Sequence, residues 1–391
     1  MQIYHRPRIF GPGNTDPRHT HGYRALIRAL RRMALTLCLL NGALFMAGCA
    51  STPKMEEFVP PVYPPPPADP RFIYERTLLF SSNVEDFTTG DAIKLFATGE
   101  SRKIQALVKP YGVAVYHGRV YVTDTVDREV MVFDIAGKRF FIFGDRPPGE
   151  LHQPHGIAIA PARGEVYVCD NTSRRVMVYD LDGKFLRSLG SKKVFDRPTG
   201  IAASPDGTKL YVVDTGGLTS MNHHVVVLDS TTGEVLQTIG SRGNGPGQFN
   251  LPLLDAVGPD GTLYVVDGGN FRVEAFNPDG TFKLKFGGVG RLPGQFARPK
   301  GIATDKEGNV YVVDTAFGNF QIFNPQGQLL TFVGSRGEAA EPGKFMLPAG
   351  IAVDEDGRVY VVDQFFRKVD VFRPYALKRT DGYAGVIEPR K

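Results

Sequence analysis

A short pattern ending in Tyr-Val-x-Asp occurs six times in this 391-residue chain: Tyr121–Asp124, Tyr167–Asp170, Tyr211–Asp214, Tyr264–Asp267, Tyr311–Asp314 and Tyr360–Asp363. Successive aspartates lie 46, 44, 53, 47 and 49 residues apart. Repeats of this length, built from short β-branched and aromatic runs, describe small sheets arranged radially about an axis, not six separate domains.

Each unit keeps one internal order. Pro-x-Gly-Ile-Ala opens it at Pro154–Ala158, Pro198–Ala202, Pro299–Ala303 and Pro348–Ala352. A polar turn such as Asp206-Gly207 or Asp260-Gly261 precedes the Tyr-Val-x-Asp strand. In four units a second Asp or Asn comes ten residues after that aspartate, as in Asp124 to Asp134 and Asp267 to Asn277. A further Gly turn then leads to a strand ending in Gly190, Gly240, Gly287 or Gly334. Alternating side chains between Gly and Asp turns are antiparallel hairpins, and four strands make one propeller blade. No stretch after residue 70 has a clear helical period, so the expected fold is all-β. The sixth unit stops short at Pro374, and the segment Ile73–Ser81 is the candidate for its missing outer strand. That pairing would close the ring and remove free sheet edges; a separate arm is the competing arrangement.

The repeated Pro-x-Gly-Ile-Ala-x-x-x-x-Gly-x-Val-Tyr-Val-x-Asp resembles the NHL repeat over residues 72–373. The resemblance implies a six-bladed propeller whose faces bind other molecules. The wider family holds RNA- and protein-binding propellers as well as peptide-amidating lyases and lactonase-like hydrolases with metals on the ring axis. Fold does not choose among these. Three departures stand out: the irregular Glu85–Lys109 before blade one, fifteen residues from Asp214 to Asp229 in blade three, and Asp255 in Pro252–Ala256 where other units carry Ile or Val.

Ahead of the repeats, Arg24, Arg28, Arg31 and Arg32 precede the apolar run Ala34–Gly48, which ends Met46-Ala47-Gly48-Cys49. A basic segment, a short apolar segment and small residues describe a secretory signal, too short for a transmembrane helix. Gly48-Cys49 resembles a bacterial lipobox, which makes Cys49 the lipidated first residue of the mature chain. Several acyl chains on one cysteine anchor far better than one, at about 0.8 kcal/mol per buried methylene. A plain signal with an incidental cysteine is the alternative, and Arg31–Leu35 also resembles a twin-arginine signal. In a cell with two membranes, Ala50, which is not the aspartate associated with inner-membrane retention, favours outer-membrane sorting. The expected organisation is a signal region over 1–48, a Pro-rich spacer over 49–71, the propeller over 72–375 and a tail over 376–391.

The formal charge of +5 comes from the signal region, whose 48 residues hold seven arginines and one acid. Without them 39 basic residues face 40 acidic ones, so the exported body has no electrostatic case for nucleic acid. Cys38 leaves with the signal, Cys49 is the lipidation site, and Cys169 stands where Val213, Val266 and Val313 stand in other units. It reads as a small buried hydrophobe, and no disulfide framework is available.

Candidate ligand-binding residues sit on the face that carries the inner-strand entrances and the strand-two to strand-three loops. They are Tyr111, His155, Asn171, Thr199, His223, His224, Asp255 and Lys300. Asp255 at an otherwise apolar axial position needs backbone amides and water, or a metal, because an unpaired buried carboxylate costs several kcal/mol. His155 with Asp255 is the candidate divalent-metal pair; no other cofactor is expected. The six repeated aspartates are expected to accept backbone N–H groups where strand two ends, and Phe249, Phe296 and Phe345 to wedge between blades. Two functions follow. One is a non-catalytic, lipid-anchored scaffold that binds an envelope protein or peptide. The other is a metal-dependent lyase or hydrolase using His155, Asp255 and Asn171.

Overall fold

The computed structural model describes residues 58–385, together with Met33. The rest of the signal region, Cys49, most of the spacer's first ten residues and the end of the tail lie outside the described residues. Six antiparallel sheets succeed one another along the chain: blade 1 over 110–143, blade 2 over 154–189, blade 3 over 198–239, blade 4 over 252–287, blade 5 over 299–333, and blade 6 from 348 onward. In each, the Pro-initiated strand is innermost and the Tyr-Val-x-Asp strand is second. The six inner strands touch in sequence, and the last touches the first, so the ring is closed.

Alternation within each strand explains why this chain has interblade layers in place of one core. Val120 and Val122 face blade 6, where they join Tyr360, Val362 and Val371. Tyr121 between them faces blade 2 and joins Ile157, Val166 and Val168. Each sheet is therefore apolar on both faces, and every layer belongs to two blades. Inner strands come close because the unit places glycine there. A Cβ on Gly112 would stand 2.5 Å from the carbonyl oxygen of His155 in the next blade. Blade 4 breaks the rule with Leu254 at that position.

Two devices recur at every blade junction. A large apolar residue three places before the inner proline is buried: Leu107, Leu151, Phe195, Phe249, Phe296 and Phe345. The phenylalanine wedges expected at three junctions thus extend to six positions, with Leu in two of them. In blade 4 the wedge lies against Gly287, whose φ of 92° and close contact with Phe296 leave no room for a side chain. The second device is the repeated aspartate. Asp314 accepts the amides of Ala297 and Arg298 from the incoming connection and those of Ala316 and Phe317 from its own loop. Asp363 does the same with Met346, Leu347, Phe365 and Phe366. All six are wholly buried. The expected turn-making role holds, and it reaches further: each carboxylate fastens the entering connection to the following loop.

The N-terminal strand closes the ring. Phe72–Leu78 pairs antiparallel with Lys368–Pro374 of blade 6, starting one residue before and ending three before the expected Ile73–Ser81. A wholly buried ion pair, Arg358 Nε to Glu75 Oε2 at 2.9 Å, and the bond from Thr77 Oγ1 to Asp370 at 2.6 Å hold the seam. Part of the Pro-rich stretch is not free. Val62–Tyr63 adds a fifth strand against Phe72 and Ile73, so the folded body begins near Pro61 rather than residue 72. A short helix, Thr89–Thr98, also interrupts the all-β body. Thr88 and Asp91 cap its start reciprocally and Gly99 ends it in the left-handed region, but none of its residues is buried. No helix among the described residues is long and apolar enough to cross a membrane.

Candidate functional site

The residue after the inner proline enters the ring at one rim, and there the six blades differ: Tyr111, His155, Thr199, Leu253, Lys300 and Ala349. Three of these meet. The Tyr111 ring stands edge-on to His155 with centroids 4.6 Å apart, and Lys300 Nζ lies 4.6 Å from the Tyr111 centroid. Tyr111 packs in the same apolar cluster as Leu254 and Ile302 from blades 4 and 5, so its ring reaches across the axis and stoppers the channel. Lys300 donates to Gln364 Oε1 at 2.8 Å from the loop of blade 6.

Charge at this rim is positive. Burial, together with Lys109 and Arg298, brings the Lys300 ammonium down to about 8. Burial pushes the Tyr111 phenol up to about 12, with Arg197 opposing. His155 is held below its ordinary value by burial, helped by Arg197 and Lys300, while its Nδ1 lies 3.1 Å from the carbonyl of Gln153. Its imidazole is therefore neutral at physiological pH. Lys109, Arg197 and Arg298 all occupy the place just before the inner proline, in blades 1, 3 and 5. They were not among the residues singled out from sequence, although a basic residue at one repeat position in alternate blades was a readable signal.

Beside the axis lies a cleft of about 550 Å³ between the loops of blades 2 and 3. Asn171, Thr172, Arg174 and Arg197 line one side, and Gly217, Thr219 and Ser220 of the blade-three insertion line the other. Arg197 is thus shared between cleft and axis.

The remaining sequence candidates have other tasks. Thr199 bonds Thr215 and the carbonyl of Leu253, tying blade 3 to blade 4. His223 is buried; its Nδ1 accepts the amide of Leu251 at 3.2 Å, so Nε2 carries the proton toward the Gly217 carbonyl at 3.1 Å. It replaces the repeated aspartate as acceptor at the one junction where Leu251 has a φ of 51°. His223 therefore shapes the insertion instead of facing a ligand. His224 begins the third strand, paired with Asp214, and burial lowers its pKa.

Asp255 sits one layer below the rim, facing the axis with Ile157, Ile201, Ile302 and Ile351. No other described residue hydrogen-bonds either carboxyl oxygen, and burial raises its pKa well above the ordinary range. The lyase or hydrolase reading would place a metal on this axis. The donors present do not suit one: a single carboxyl among aliphatic side chains, a histidine turned to its own backbone, and two cations above them. Among the described residues no three His, Cys, Asp or Glu side chains converge. His155 and Asp255 enter the ring from blades 2 and 4, one and three places after their inner prolines.

Residues 96–196 match a family described as a 6-bladed beta-propeller. NHL repeat-containing protein 3 of Mus musculus is 36% identical over 88 residues, 22% of this chain, and the chain spans only 23% of that protein's length. A structural genomics protein of unknown function from Bacteroides thetaiotaomicron superposes with a TM-score of 0.54 at 20% identity, over 68% of this chain and 70% of that one. A gluconolactonase of Xanthomonas campestris superposes at 0.51 and 19%, over 68% and 86%. At such identities the likeness establishes fold alone. The chain is a six-bladed β-propeller weakly related to NHL-repeat proteins, a fold that serves elsewhere both as a binding scaffold and as an enzyme.

Proposed function

We propose that this chain is a cell-envelope binding propeller, lipid-anchored through Cys49 at the outer membrane, that engages a protein or peptide at the inner-strand entry rim. One observation carries the reading. Three features that the repeat does not need for folding collect at that rim: the Tyr111–His155–Lys300 group, the basic residues around it, and the cleft beside the blade-three insertion. The insertion also presents Leu218 and Met221, which are 77% and 70% exposed. Apolar side chains standing beside a polar cleft suit a partner with both apolar and polar surface. Leu218→Asp combined with Met221→Asp should abolish chemical crosslinking to the partner in native envelopes while the far-ultraviolet spectrum stays unchanged. Undiminished crosslinking would remove the rim from consideration.

A second reading, catalysis of the lyase or hydrolase type, draws on the likeness to a gluconolactonase and on the carboxyl of Asp255 without a partner. It requires a route past Tyr111 and a stoichiometric divalent ion. Metal content of protein purified without an affinity tag separates the two: one ion per chain, lost in Asp255→Ala, would favour catalysis.

A further inference from the structure

Among the described residues the fully buried cations have carboxylate partners. Arg358 pairs with Glu75, Arg272 with Asp267 and Glu274, and Lys368 with Asp370. At the rim this pattern stops. Among the described residues Lys109, Arg197, Arg298 and Lys300 form no ion pair, and Arg174 reaches Asp196 only at 3.8 Å. The repeated acids of this face are already committed, and the remaining one, Asp196, lines the cleft beside Arg197. Asp124, Asp170, Asp214, Asp314 and Asp363 point their oxygens at backbone amides of the junctions. Lys300 is the sharpest case, since its ammonium is largely withdrawn from solvent yet meets only a neutral amide and the face of Tyr111. A desolvated ammonium surrounded by like charge is costly until an anion arrives. The neighbouring cleft adds polar groups, Asn171, Thr172, Thr219 and Ser220, at a volume typical of small-molecule sites.

Building on the rim as the binding face, we infer that the ligand presents a carboxylate, which Lys300 and Arg197 hold above the Tyr111 ring while its polar remainder lies in the cleft between blades 2 and 3. Guanidinium and ammonium together suit a carboxylate: Arg197 offers a planar fork and Lys300 a point charge. A nucleic acid fits less well, because the Tyr111 ring is covered on one face by Lys300 and edge-on to His155, which leaves no open stacking platform. Two sources share this chemistry, a sugar acid and a peptide carboxylate.

The test is calorimetric titration of the mature chain with glucuronate, with N-acetyl-dialanine, and with the C-terminal amide of the same dipeptide. Binding of glucuronate alone identifies a sugar acid, and binding of the dipeptide acid but not its amide identifies a peptide terminus; either supports the inference. Lys300→Met and Arg197→Met should each weaken that binding at least about tenfold. Lys306→Met, at the opposite mouth of the channel, should leave it unchanged. Neither acid binding at about 10 mM, where even millimolar affinity would register, overturns the inference. So does equal binding of acid and amide, indifference to Lys300→Met and Arg197→Met together, or binding of single-stranded RNA in place of both acids. If envelope crosslinking persists while both acids fail, the rim remains the binding face and only the ligand's chemistry is wrong.

Discussion

Asp363 and Asp255 are the same residue type, both buried in the same ring, and they have opposite surroundings. Asp363 accepts four backbone amides and belongs to a set of six. Asp255 meets no partner from another described residue and has no counterpart in any other blade. The first stabilises a junction that must be made six times; the second sits where five blades place Val or Ile. Repetition here marks structure, and its interruption at Asp255 leaves a carboxyl that no junction uses.

Substitutions at the two positions should differ in sign. Asp314→Ala, at the equivalent of Asp363, orphans four buried amides at about 1–3 kcal/mol each before relaxation, so a loss of about 4–5 kcal/mol is expected in denaturant unfolding. A change below about 1 kcal/mol would mean that the latches contribute little. The seam tests the same point from the chain's other end. Glu75→Ala strands the wholly buried Arg358 and should cost about 3–5 kcal/mol. If it does not, the N-terminal strand is dispensable for closure.

Asp255→Ile should instead stabilise, by about 1–3 kcal/mol at neutral pH. The sign follows from linkage. A carboxyl whose folded pKa is raised favours the folded state fully below its unfolded pKa, and that contribution is lost as pH rises toward the folded value. The advantage of Asp255→Ile should therefore be smallest in acid and grow as pH rises above about 4. A destabilised variant would reveal a partner for the carboxylate. The smallest effect belongs to Cys169, buried beside the same axis with its thiol on the Gly200 carbonyl at 3.3 Å. Cys169→Val, matching the neighbouring blades, should shift stability by less than about 1.5 kcal/mol.

Much of this was legible in the sequence because repetition multiplies weak signals. Six aspartates, a proline-led inner strand and matched phenylalanines specified the ring, the latches and the wedges. The Ile73 segment could be placed because the sixth unit lacked a strand. The Val62–Tyr63 strand was hidden because two residues carry no period and proline-rich sequence reads as extended whether or not it pairs. The Thr89–Thr98 helix was hidden because ten residues make fewer than three turns, too few for Ile93, Leu95 and Phe96 to establish a period. At the site, Tyr111, His155 and Lys300 were recognisable by position, but their meeting depends on Tyr111 crossing the axis. Arg197 and Gln364 join them from different blades, a proximity created by ring closure and not by spacing along the chain. His223 accepts the Leu251 amide, a bond that arises from one irregular backbone position and could not be read from spacing.

The most direct test of the central claim, that departures from the repeat locate function, compares the two mouths of the channel. A photo-crosslinking residue placed at Thr219, in the cleft of the rim, should yield a discrete adduct in native envelopes. The same probe at Lys306, on the opposite mouth, should yield none. An adduct from Lys306 and none from Thr219 would contradict the account.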